Sequence, residues 1–216
     1  MADVASLPGS HAIPGSINSN DELLSVMTPS FRPIWTDAGS GGSRDGAFWD
    51  PLAQGPLRPI GSVAVDNYQN INGHRIGLLV AENPSGSGGG QPPVASPRDY
   101  TELWNDKGTG AKQDGSVWRP IAPNGYVALG DVFQQGYSKP DTNRIWCLRH
   151  DLVRPARFAS QSTWDDKKTG AKTDLSVWEV HGNLLESELN ATQINSFRCS
   201  SNYSPPDSSY ATLPAF

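Results

Sequence analysis

Cysteine is scarce: the 216 residues hold two, Cys147 and Cys199. A small secreted scaffold stapled by several disulfides is thereby excluded. No apolar run approaches the roughly 18 residues of a membrane-spanning helix. Residues 1–30 lack the basic-then-apolar order of a secretion signal, so the expected compartment is the cytoplasm. Lysines and arginines form no cluster beyond two or three residues and the net charge is −5, which argues against nucleic acid as a partner. Catalytic signatures are missing as well. The histidines (His11, His74, His150 and His181) stand apart, without paired metal-ligand spacing. There is no Gly-x-Ser-x-Gly elbow. His150-Asp151 is the one adjacent acid/base pair and reads as a strand end. Cys147, between Trp146 and Leu148, reads as a buried and inert thiol. The expectation is a non-enzyme with no cofactor and no metal. The two cysteines can pair, but without secretion two reduced thiols are favoured.

Hydrophobic residues make up only 36% of the chain, while glycine and proline number 22 and 18. That balance suits a turn-rich all-β protein better than a helical one. The length suffices to bury a core without staples.

What the chain does have is a unit that recurs three times. It runs from Trp35 to Trp49, from Trp104 to Trp118 and from Trp164 to Trp178, with a Trp-to-Trp spacing of 14 each time. Six of the seven tryptophans occupy these positions, and the period is 60 to 69 residues. Such a period marks copies of one supersecondary unit. Between the tryptophans lie Asp37, Asp106 and Asp166, then Gly41, Gly110 and Gly170, then Asp45, Asp114 and Asp174. The likeness continues beyond the second Trp: Ile60-Gly61 matches Leu129-Gly130, and the strand around Leu78 matches that around Cys147. In the third copy, Trp178-Glu-Val-His-Gly182 lacks the Pro and Gly-Tyr, and the copy reads as shortened before Phe197-Arg-Cys199.

Each unit reads as about four short strands: one ending at the first Trp, one holding the second, one spanning Tyr126 to Phe133 or its counterpart, and one with Cys147 or its counterpart. The expected architecture is β-prism-like, with three antiparallel sheets of about four strands around a pseudo-threefold axis. A β-sandwich or barrel that only loosely reflects the repeat is the alternative. Residues 1–30 are expected to be a flexible arm, with a possible short helix at Asp21 to Met27. A single domain would then span 31–216, with repeats at about 31–97, 98–159 and 160–216. Residues 83–93 read as a solvated loop. The last residues, from Ser204, read as a surface-hugging tail.

The phrase Trp118-Arg-Pro-Ile-Ala-Pro-Asn-Gly-Tyr-Val-Ala-Leu-Gly-Asp-Val132, the Asp/Gly loops and Cys147-Leu-Arg-His-Asp-Leu-Val153 resemble the vacuolar protein sorting-associated protein 62 family. A similar phrase marks the adaptor-binding repeats of vacuolar protein sorting-associated protein 13. Similar modules also accompany perforin-like pore-forming domains, where they resemble β-prisms. The resemblance covers about residues 31 to 180 and is weakest in the third copy. It implies a β-prism and favours binding over catalysis.

The spacing Gly41…Asp45, Gly110…Asp114 and Gly170…Asp174 resembles the sugar-binding loop of jacalin-type lectins. A glycine turn lets backbone N–H groups approach a ligand closely. A carboxylate accepts strong hydrogen bonds from adjacent sugar hydroxyls. Trp49, Trp118 and Trp178, four residues further on, are candidates to stack on a sugar face, and Asp37, Asp106 and Asp166 can line the same turn. Against this stands a purely structural reading, since Asp and Gly build tight turns and cap orphan N–H groups. Calcium would find carboxylates here, but the spacing is neither an EF-hand nor a nonapeptide repeat. Arg44, Lys112 and Lys172 disfavour a cation and suit an anion-holding nest. The expected function is therefore a lectin-like module with glycans as partners. The alternative is a membrane- or protein-docking module, such as a pore-former accessory or trafficking adaptor.

Overall fold

The computed structural model describes residues 17–19, 22–86, 90–182 and 194–215. Within them the protein is all-β, apart from two single-turn 3-10 helices at His150–Leu152 and Ser208–Tyr210. The first repeat contains β1 (Ile17–Ser19), β2 (Leu23–Thr28), β3 (Phe31–Thr36), β4 (Ala47–Pro51), β5 (Arg58–Pro59), β6 (Val63–Val65) and β7 (Gly77–Glu82). The second contains β8 (Val94–Ala95), β9 (Asp99–Asn105), β10 (Gly115–Ile121), β11 (Tyr126–Val127), β12 (Val132–Gln135) and β13 (Cys147–Arg149). The third contains β14 (Val153–Pro155), β15 (Arg157–Phe158), β16 (Trp164–Asp165), β17 (Ser176–His181), β18 (Phe197–Ser200) and β19 (Thr212–Pro214).

The strands form small antiparallel sheets of two to four strands rather than three of about four. In each repeat the two Trp-bearing strands pair with a third: β3-β4-β6, β9-β10-β12, and β16-β17-β18 with β15 on the same central strand. The remaining strands pair separately, as β1-β2-β7-β5, β8-β13-β11 and β14-β19. The segment expected as one strand from Tyr126 to Phe133 thus divides into β11 and β12, which join different sheets. Each repeat also opens earlier than expected. β2, β8 and β14 lie just before the Trp-bearing strands and pair with the closing strands β7, β13 and β19. Residues 23–28, expected within a flexible arm or short helix, are instead a six-residue strand whose Leu23 and Val26 are buried. Residues 1–16 of the expected arm, and the third-repeat segment 183–193, lie outside the described residues.

In the first two repeats the first Trp is aimed inward by a bulge. The register slips between Pro33 and Trp35 in β3, and between Val117 and Trp118 across β10 and β9, so Ile34 and Leu103 are the extra residues. A bulge of this kind kinks a strand and re-aims its side chains. Trp35, Trp104 and Trp164 meet edge-to-face on the pseudo-threefold axis, with ring centroids 5.7 to 5.9 Å apart and interplanar angles of 77° to 79°. All three are fully buried, and Phe48, Phe133, Val117, Val177 and Cys199 pack around them. Edge-to-face aromatic pairs add about 0.5–1.5 kcal/mol each beyond the area they bury. The glycines opening β4 and β10 make room for this trio. A Cβ on Gly46 would stand 2.3 Å from Trp164 Cδ1, and one on Gly115 would stand 2.6 Å from Trp35 Cδ1.

The cysteines are unpaired and buried. They are also not counterparts. Cys147 lies on a closing strand, whereas Cys199 faces Val177 from β18 as Phe133 faces Val117 from β12. Burial pushes the Cys147 thiol up to about 12 and the Cys199 thiol well above its usual value.

Candidate binding loops

The three Asp/Gly loops come together at one end of the axis. Lys112 N–H donates to Ala38 O at 3.1 Å, and Ser43 N–H donates to Lys167 O at 3.2 Å, so each bond joins loops of different repeats. Gly41, Gly110 and Gly170 all have positive φ, and each lies against a carbonyl of the preceding loop around the axis: those of Lys168, Gly39 and Gly108. Lys168, at the place of Gly39 and Gly108, keeps a positive φ of 66°. It is the one non-glycine among the described residues that does so.

Asp37, Asp106 and Asp166 are buried at the base of these loops, where their carboxylates tie the repeats into a ring. Trp35 Nε1 donates to Asp106 at 3.2 Å, Trp104 to Asp166 at 2.8 Å, and Trp164 to Asp37 at 3.3 Å. Each axial tryptophan is thus held by the aspartate of another repeat. Gly46 N–H and Leu175 N–H also donate to Asp37 and Asp166, closing two of the turns. Burial raises the Asp166 carboxyl above its ordinary value, against the donors that surround it. All three carboxylates accept from scaffold tryptophans.

Asp45, Asp114 and Asp174 are exposed. Each stands beside a tyrosine that the sequence reading did not single out: Tyr68, Tyr137 and Tyr203. The tyrosine hydroxyls donate to Asp37 at 2.7 Å, to Asp106 at 2.8 Å and to Asp166 at 3.1 Å. Tyr203 also lies 3.0 Å from Asp174 Oδ1. Burial, then hydrogen bonding to the paired aspartates, pushes all three hydroxyls well above the usual tyrosine range, so they stay protonated donors. The signal was there to find. Tyr68 and Tyr137 both follow their second Trp by 19 residues, while an insertion in the third repeat lengthens that interval to 25.

The three positions differ in one respect. Lys107 Nζ sits 4.3 Å over the Tyr137 ring and Lys167 Nζ sits 4.4 Å over Tyr203. The first repeat has Ala38 there, and Tyr68 is 45% exposed. Trp49, Trp118 and Trp178, expected as stacking surfaces, are instead buried to within 6–8%. Trp118 and Trp178 donate inward to Ser116 and Ser176, both at 2.8 Å. Arg44, expected at an anion nest, is committed to Ser162 and the Thr163 carbonyl of the third repeat.

Elsewhere the Asp151 carboxylate is taken by Arg149 at 2.7 Å, which holds it below the usual carboxylate range. Among the described residues no group of three or more His, Cys, Asp or Glu is placed to hold a metal, and no helix is long and apolar enough to cross a membrane.

These features define an all-β module of three repeats, knitted by an axial tryptophan trio and a ring of aspartates. The family model of vacuolar protein sorting-associated protein 62 matches residues 10–214, and the chain belongs to that family. No curated protein matches it. Among solved structures it is similar to the crystal structure of GNIP1Aa from Chromobacterium piscinae, at 28% identity and a TM-score of 0.67. That likeness covers 88% of this chain and 35% of GNIP1Aa, so the chain corresponds to about a third of that protein's length.

Proposed function

We propose that this chain is a non-catalytic, lectin-like module on a β-prism-like frame, which binds carbohydrate at its three repeated loops. The supporting observation is the threefold recurrence of an exposed carboxylate (Asp45, Asp114, Asp174) beside a tyrosine already anchored on a buried aspartate. The carboxylate accepts from neighbouring sugar hydroxyls through charge-assisted bonds. The tyrosine offers a ring face to the apolar side of the sugar. Fixing its hydroxyl beforehand removes part of the ordering cost of binding. Gly41, Gly110 and Gly170 keep the neighbouring turns open. Tyr68 is the preferred platform, because Lys107 and Lys167 must first leave the other two rings. A cation–π contact of this exposed kind is worth about 0.5–1 kcal/mol, a two- to five-fold handicap. Several weak sites on one rigid frame gain avidity on a cell surface.

A glycan array screened with the wild type, Asp45→Asn, Asp114→Asn and the triple variant including Asp174→Asn tests the proposal. Selective binding should weaken in the single variants and vanish in the triple one at unchanged melting temperature. A well-folded wild type that binds no glycan would sink it. A docking module is the second reading, favoured by the correspondence of this fold to about a third of the GNIP1Aa chain. Binding to vesicles or to a protein partner that free sugars do not compete would select it.

A further inference from the structure

Away from the loops, a cleft of about 270 Å³ opens between the first and second repeats, lined by Arg32, Arg58, Arg144, Asp50, Pro51 and Pro59 among others. A second hollow of about 200 Å³ shares its Arg32 and Arg144. Asp50 is the one carboxylate in the lining, and its charge is already taken. It accepts from Arg144 at 2.6 Å, from Arg32 at 3.2 Å and from Ser62 Oγ at 2.7 Å. Three guanidiniums against one carboxylate leave a local excess of two positive charges, in a protein whose net charge is −5.

The guanidiniums are also positioned. Arg58 Nε donates to Asn143 O at 3.1 Å, and its Nη1 donates to Leu57 O at 3.1 Å and to Gly55 O. Arg58 is therefore held by carbonyls, and among the described residues its Nη2 has no partner. Among the described residues Arg32 uses only Nη2, on Asp50. The unspent donors border Pro51, Leu52 and Pro59, and the Arg32 side chain is 63% exposed, open to an incoming anion. A planar guanidinium matches a phosphate through paired N–H donors.

We propose that this cleft binds a phosphate monoester, held between Arg32 and Arg58 with Arg144 and Asp50 as the fixed floor. A monoester carries close to two negative charges at neutral pH, which matches the excess, and offers three acceptor oxygens to the free donors. The volume admits the phosphate and one small substituent such as glycerol. Leu52, 43% exposed at the rim, is placed to meet apolar matter beyond it, so the phosphate can be a soluble ester or a lipid headgroup.

The test uses the full chain and two probes: glycerol 3-phosphate followed by calorimetry, and vesicles of phosphatidylcholine with and without phosphatidic acid followed by co-sedimentation. The variants are Arg32→Gln, Arg58→Gln and the pair. Arg144 is left intact because it also bonds Gln134 and the Phe133 carbonyl. The double variant should lose at least ten-fold in affinity at unchanged melting temperature. Loss with glycerol 3-phosphate assigns a soluble ester, and loss with vesicles alone assigns a headgroup. Binding to neither probe by the wild type, or equal binding by wild type and double variant, overturns the proposal.

Discussion

Trp49 Nε1 is buried and has no hydrogen-bond partner among the described residues. Its counterparts show what is missing. Trp118 and Trp178 donate at 2.8 Å to Ser116 and Ser176, which pass their own hydroxyl hydrogens to the Gly136 and Asn202 carbonyls. Both acceptors lie two residues beyond the strand partner of the serine: Gln134 for Ser116 and Ser200 for Ser176. In the first repeat Ala47 holds the serine's place and pairs with Val65, so the waiting acceptor is the Asn67 carbonyl. Ala47→Ser should complete the chain. A buried donor left unmatched costs about 1–3 kcal/mol and a net hydrogen bond is worth about 0.5–1.5 kcal/mol, so a gain near 1 kcal/mol is expected. For a chain of this size that is roughly 2–4 °C in melting temperature. Calorimetric melting of wild type, Ala47→Ser, Trp49→Phe and the double variant gives the cycle. The gain should disappear when Trp49 no longer donates. In the mirror experiment, Ser116→Ala should cost about 1–2 kcal/mol. If Ala47→Ser is neutral or destabilising while Ser116→Ala costs that much, the repeats are not interchangeable here and the reasoning fails.

Lys107→Ala and Lys167→Ala should each raise glycan affinity at their own repeat two- to five-fold by uncovering Tyr137 and Tyr203, read by titration in an Asp45→Asn background. Trp164→Phe should cost about 1–3 kcal/mol beyond its lost packing, because Asp37 loses its indole donor while staying buried; urea unfolding measures it. The thiols should resist alkylation in the folded state at pH 8, with labelling rates that follow unfolding. The folded Cys147 value of about 12 lies above the ordinary value near 9. The stability it contributes is therefore full below about pH 9 and is lost as pH rises toward 12, and Cys147→Ala should flatten that part of the alkaline melting curve.

The repeat, its aspartates and the all-β class were legible because they depend on local spacing: a Trp pair 14 apart and turn residues between. What escaped notice depends on pairing across long separations. Leu23–Thr28 reads by itself as part of a loose arm or a short helix, and its strand partner β7 lies about fifty residues downstream. Trp49, Trp118 and Trp178 seemed free to meet a ligand because each sits just past an exposed aspartate. They lie on central strands flanked on both sides, where alternation no longer separates an inner from an outer face. The third copy read as shortened because a shared residue type matched Cys199 to Cys147, one strand too far; matched to Phe133 instead, the copy is longer there, not shorter.

The departures of that third copy have a physical reading. Around the tryptophan trio, corresponding positions hold Gly46, Phe48 and Ala64 in the first repeat, Gly115, Val117 and Phe133 in the second, and Leu175, Val177 and Cys199 in the third. Each repeat supplies one large side chain at a different one of the three places. A Cβ on Gly115 would stand 2.7 Å from Phe133 Cε1, so glycine there is the complement of phenylalanine on β12. Where β18 carries Cys199 instead, the same space accepts Leu175, which is fully buried. Volume-conserving exchange is what a close-packed core tolerates best. The lost glycine at 175 is therefore a repacking of the axis, and Asp174 remains exposed beside Tyr203 as in the other repeats.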